Sequence, residues 1–182
     1  MTGAGMVSVK EALQEAGGNE EKAVEILRKK GQNKALKKSE RKTREGIIVS
    51  YVHSNYKVGA IVKLFCETDF VAKNEEFKEL GKDIAMHIVA MDPRYLKTED
   101  VPSKTIEKEK EIWREQLKNK GKKNEIVDKA LAGKEEKFKK EISLLSQPFV
   151  KNPDITVEQL IAEKISKTGE NIQVGDFMRY EI

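Results

Sequence analysis

The chain has 182 residues, of which 38% are hydrophobic and 36% charged, and its 35 Lys and Arg against 31 Asp and Glu leave a formal charge of only +4. That length holds one moderate core with a small appended module, and a charge this balanced is too even to assign a nucleic-acid partner by itself. A lone cysteine, Cys66, excludes an intrachain disulfide, and no stretch approaches about 18 consecutive apolar residues or a signal-peptide core, so a cytoplasmic protein with no membrane partner is expected.

In chain order, residues 7–16 are predicted as a short helix with Val9, Leu13 and Ala16 on one face, stopped by Gly17 and Gly18. Asn19 is a suitable N-cap for a second helix over 20–30, where Ala23, Val24, Ile26 and Leu27 form the apolar side and Gly31 is expected to end the run. Two such helices bury little on their own. Residues 28–44 carry nine Lys or Arg against one acid, Glu40, and are predicted as a solvated linker, partly helical. No aromatic residue is interleaved there for base stacking, so no direct nucleic-acid substrate is expected.

From Ile47 to Cys66 the hydrophobic period changes to two, with a turn near Ser54 and Asn55, and a half-buried hairpin is predicted. Val58, Ala60, Val62, Leu64 and Cys66 share its apolar face, which makes Cys66 a small core residue rather than a reactive thiol. Residues 66–77 then form a short connector that places Phe70 and Val71 beside Asp69, where a loop is ordinarily polar. Phe70 either folds back on its own core or serves as an exposed anchor for a partner. A helix over 74–91 follows, with Phe77, Leu80, Ile84, Ile88 and Met91 on one stripe. Its last turns, including Met86 and His87, are apolar nearly all round, so they are either covered twice within the fold or left open for a partner.

Residues 103–145 are predicted as an antiparallel helical hairpin broken near Gly121, with Ile106, Trp113 and Leu117 facing Val127, Leu131, Phe138, Ile142 and Leu145. Thr156 and Gln159 make a capping-box pattern for a helix that runs to Gly169. The last segment alternates Ile172, Val174, Met178, Tyr180 and Ile182 and is predicted as a strand joining the hairpin in a three-stranded antiparallel sheet. The fold class is therefore α+β. The expected division is a helical module over 1–31, a basic linker over 32–45, and a core over 46–182 that includes the hairpin 103–145. No catalytic constellation, phosphate loop or metal-ligand spacing is present in the sequence, so neither an enzyme nor a cofactor is expected.

Four blocks resemble the bacterial elongation factor Ts family: Thr68 to Lys73, the Thr2-Gly3-Ala4-Gly5-Met6 turn with Lys10 to Leu13, Ile84 to Ile88, and Gln147 to Val150. The two N-terminal helices are similar to the last two of a ubiquitin-associated module, which is expected to be truncated at its start, since only Met1 precedes the turn. The resemblance implies a nucleotide exchange factor for elongation factor Tu. It implies partner contacts by Thr68, Asp69, Phe70, Val71, Met86 and His87, together with Gly3, Ala4, Gly5 and Met6. GDP release would follow from disturbance of the partner's magnesium and phosphate site. The chain is similar to the short form of the family, with one core copy. A homodimer held without a covalent link is the implied assembly, since no cysteine lies near the C-terminus. A ubiquitin-associated adaptor, resting on residues 7–30, and an RNA- or ribosome-binding protein, resting on residues 28–44, stand as alternatives.

Overall fold

The computed structural model describes residues 4–119 and 124–182, and among them the architecture is α+β, with seven helices and a three-stranded antiparallel sheet. The chain forms two compact units, one of residues 1–90 with 148–182 and one of residues 91–147.

In the first unit, α1 (Met6–Glu15) and α2 (Glu20–Lys38) close on Ala12, Ala23 and Leu27, with Val9, Leu13 and Ile26 packed around them. The Asn19 side chain accepts from the Lys22 N–H at 2.9 Å and caps α2 as its sequence predicts. Gly31 does not end that helix. Two further turns carry it to Lys38, because α2 packs along α7 (Val157–Thr168) and tertiary contact outweighs the roughly 1 kcal/mol helix penalty of a glycine. The first part of the expected linker is therefore helical.

Strands β1 (Glu45–Val52), β2 (Val58–Cys66) and β5 (Gln173–Glu181) form the sheet, with β2 in the centre, and the short strands β3 (Pro148–Phe149) and β4 (Asn152–Thr156) make a separate antiparallel pair. The period of two is obeyed along β2: Ala60, Val62, Leu64 and Cys66 are buried, and Ile61, Lys63 and Phe65 face outward. Helix α4 (Glu75–Met91) lies over β1 so closely that a Cβ at Gly81 would stand 2.7 Å from Val49 Cγ2. Glu76 on α4 pairs with Lys167 on α7 at 2.5 Å. Thr156 and Gln159 form the predicted capping box, with bonds of 3.2 and 2.9 Å.

Strand β5 departs from its predicted alternation. Val174 pairs with Leu64 and Phe177 with Val62, so two residues of β5, Gly175 and Asp176, oppose the single Lys63 of β2 and form a bulge. The extra residue reverses the phase. Ile172 and Val174 are buried as expected, whereas Met178, Tyr180 and Ile182 are exposed. A Cβ on Gly175 would meet Phe65 Cε2 at 2.5 Å, so the bulge takes a residue without one.

The second unit contains α5 (Ser103–Asn119) and α6 (Asn124–Glu141). Leu117 meets Leu131, Trp113 packs edge-on to Phe138 with ring centroids 5.6 Å apart, and Lys110 pairs with Glu135. From Leu117 and Leu131 to Trp113 and Phe138 the position falls on one helix as it rises on the other, which makes the predicted antiparallel hairpin. The break near Gly121 and the side chain of Val127 lie outside the described residues. Gln147 Nε2 donates to the carbonyls of Glu141 at 2.7 Å and Met91 at 3.2 Å, tying the base of this unit together.

Candidate partner-binding site

The connector predicted as a loop contains a helix of one turn, α3 (Asp69–Ala72). Thr68 is its N-cap, accepting from the Val71 N–H at 3.4 Å, and Lys73 pairs with Asp69 across the turn at 2.6 Å. The Lys73 hydrogen bond, reinforced by its charge, holds the Asp69 carboxyl below the usual carboxylate range. Val71 and Ala72 are buried at 6% and 8% exposure, while Phe70 is 80% exposed. The turn is thus fastened through one face and presents the aromatic ring on the other. Of the two apolar side chains singled out in the sequence, only Phe70 reaches solvent.

Residues 66–68 are held from behind. Cys66 is buried beneath the turn and its thiol donates to the Thr68 carbonyl at 3.2 Å. Burial, and then the charge of Glu170, push that thiol up to about 11, so it stays a protonated donor at neutral pH. Glu170 itself accepts from the N–H groups of Glu67 and Thr68, both at 3.1 Å, and from the Thr68 hydroxyl at 2.7 Å. Sequence reading passed over Glu170, because 102 positions separate it from Thr68.

His87 is fully buried rather than turned outward. Its Nδ1 accepts from the Val150 N–H at 3.2 Å and its ring lies 5.9 Å from that of Phe149. The apolar end of α4 is therefore covered a second time, by the segment Phe149–Val150, and Met86 beside it is half-buried. Ala4 packs into the helical module, Gly5 precedes α1, and Met6 is exposed; Gly3 lies outside the described residues. The expected contact residues thus stand on three elements: the α3 turn, the end of α4 and the start of α1.

A model of the family described as elongation factor TS matches residues 6–182. The chain belongs to the elongation factor Ts family. It is 54% identical to the elongation factor Ts of Fervidobacterium nodosum and 55% to that of Thermosipho melanesiensis, in each case over the whole chain and 92% of the relative. With the elongation factor Ts of Carboxydothermus hydrogenoformans it shares 53% identity over the whole chain and 83% of the relative. The family match runs from the start of α1 through β5, so it includes both the α3 turn and the covered end of α4. Among the described residues no helix is long and apolar enough to cross a membrane, and no group of His, Cys, Asp and Glu is placed to hold a metal ion.

Proposed function

We propose that this chain is a guanine nucleotide exchange factor for elongation factor Tu, acting in the cytoplasm and catalysing no chemical reaction of its own. The observation that carries the reading is Phe70, an aromatic ring left 80% exposed on a turn whose next two residues, Val71 and Ala72, are buried, in a chain of this family. A solvated large ring costs roughly 2 kcal/mol or more that only a partner's pocket recovers, and rigid aromatic anchors dominate interfaces. Seated between side chains of elongation factor Tu, Phe70 displaces the elements that hold Mg²⁺ and the β-phosphate, and GDP loses charge-assisted contacts. Thr68 and Asp69 set the pose of the ring. Met86 and the buried His87 act beside it through the surface they shape, and Ala4, Gly5 and Met6 begin the helical module that docks on the same partner.

Linkage sets the thermodynamics: whatever factor the chain takes from GDP affinity, GDP takes from the affinity of the chain. Excess GTP then fills the emptied site by mass action. Release of a fluorescent GDP from elongation factor Tu, followed with and without the chain, tests this directly. Acceleration at saturating protein is expected; an unchanged rate with a folded chain overturns the reading.

The active assembly in this reading is a homodimer without a covalent link. The outer face of the sheet supports it, since Ile48, Val52, Ile61, Met178 and Tyr180 are all exposed there and β5 is an edge strand.

A further inference from the structure

The turn that carries Phe70 is too short to hold itself together. A helix of four residues closes almost no hydrogen bonds of its own against the entropy of fixing its backbone, and isolated turns of this size are unstable in water. Burial of Val71 and Ala72 anchors its C-terminal half. Its N-terminal half is held by the corner between α7 and β5.

That corner is built from Gly169, Glu170 and Asn171. One oxygen of the Glu170 carboxylate takes the N–H groups of Glu67 and Thr68, and the other takes the Thr68 hydroxyl at 2.7 Å. The same Thr68 Oγ1 accepts from Val71, so its hydrogen and a lone pair are both committed and its rotamer is set. In return Glu67 Oε1 accepts from the Asn171 N–H at 2.6 Å. Asn171 is buried, and its Nδ2 donates to the carbonyls of Arg41 at 2.8 Å and Ser39 at 3.3 Å, where the chain leaves α2. Lys38, at the end of α2, donates to the Gly169 carbonyl. Two segments far from it in sequence, the end of α2 with the residues that follow it and the approach to α3, are fastened to this one corner.

We infer that Glu170 is a positioning residue: its carboxylate holds the N-terminal end of the α3 turn so that Phe70 is presented in a binding-ready pose. This rests on the exchange reading above. Charge-assisted bonds to N–H and O–H donors are about twice as strong as neutral ones, and three of them converge on this side chain. Without them the turn must be ordered at the moment of binding, and the cost appears as lost affinity for elongation factor Tu.

The test is a titration of fluorescent GDP release from elongation factor Tu with the full chain and with Glu170→Ala, Phe70→Ala and the double variant. Glu170→Ala is expected to raise the half-saturating concentration about tenfold, and to add less than about twofold in the Phe70→Ala background, where no anchor remains to be posed. A half-saturating concentration within twofold of the unaltered chain, or an effect that multiplies fully onto Phe70→Ala, overturns the inference. Amide hydrogen exchange gives a readout independent of the partner: in Glu170→Ala the amides of Glu67, Thr68 and Val71 should exchange at least tenfold faster while those of β2 keep their protection. If the unaltered chain releases no GDP, the exchange reading fails while faster exchange at these three amides still upholds Glu170 as the holder of the turn, and unchanged exchange there overturns it. Should Glu170→Ala fail to fold, Glu170→Gln keeps the shape of the side chain, removes its charge and one of its two acceptor oxygens, and is held to the same two criteria.

Discussion

Phe70 and Cys66 lie four positions apart and carry opposite expectations. Truncating an aromatic anchor at the centre of an interface costs roughly 2 kcal/mol or more, well over tenfold in affinity. Phe70→Ala should therefore weaken exchange by that factor and leave thermal unfolding nearly unchanged, because the ring supports no part of the core. A large fall in melting temperature with normal exchange by the folded fraction would return Phe70 to a core role. Cys66 shows itself in alkali. Its folded thiol titrates near 11 against an ordinary 9.0, so between those values the unfolded chain releases a proton that the folded chain keeps. Stability from this group is intact below pH 9 and falls as pH rises toward 11. Denaturant titrations at pH 8 and about pH 10.5 should find Cys66→Ala losing less stability over that interval than the unaltered chain. At this scale the sequence was informative where one residue decides its own environment, as at Cys66 on an alternating strand. It left His87 between two readings, covered twice within the fold or open for a partner, because the Phe149–Val150 segment that covers it lies 62 positions away and no local pattern announces the contact.

Elements were legible wherever their own caps and periods agreed, as with Asn19 opening α2 and Thr156 with Gln159 opening α7. They were misjudged where tertiary structure intervened. Helix α2 outran Gly31 because α7 supports its last turns, and β5 changed face because one inserted residue at Gly175 and Asp176 shifts a period of two by half a cycle. Two glycines in helices show how the surroundings set the sign of one substitution. At Gly81 an added Cβ meets Val49 Cγ2 at 2.7 Å, so Gly81→Ala should destabilise the first unit by about 1–3 kcal/mol, read from the denaturant midpoint by circular dichroism. At Gly133, on the exposed side of α6, nothing lies within 4 Å. There Gly133→Ala should stabilise the hairpin by about 0.5–1 kcal/mol, read through Trp113 fluorescence, since Trp113 packs on Phe138 of the same helix.

For the whole molecule the open question is what covers the outer face of the sheet. Light scattering at micromolar concentration should find twice the 20.7 kDa of one chain, unchanged by reductant, and Ile61→Lys with Met178→Lys should return the mass to a single chain. A single-chain mass for the unaltered protein rejects the dimer. The sheet has a second consequence, which concerns time. Strand β2 gains β1 almost at once, but its other neighbour, β5, begins more than a hundred residues later. At about 5–20 residues per second, a ribosome leaves that edge of β2 bare for roughly 5–20 s while the helices between are still being made. A bare edge beside Val62 and Leu64 is a template for strands of other nascent chains, and a lysine in mid-strand is a known deterrent to such pairing. Lys63 occupies that position on β2, and when β5 arrives Asp176 at its bulge pairs with the same lysine at 2.9 Å. The charge that guards the edge during synthesis becomes half of the ion pair that spans it afterwards.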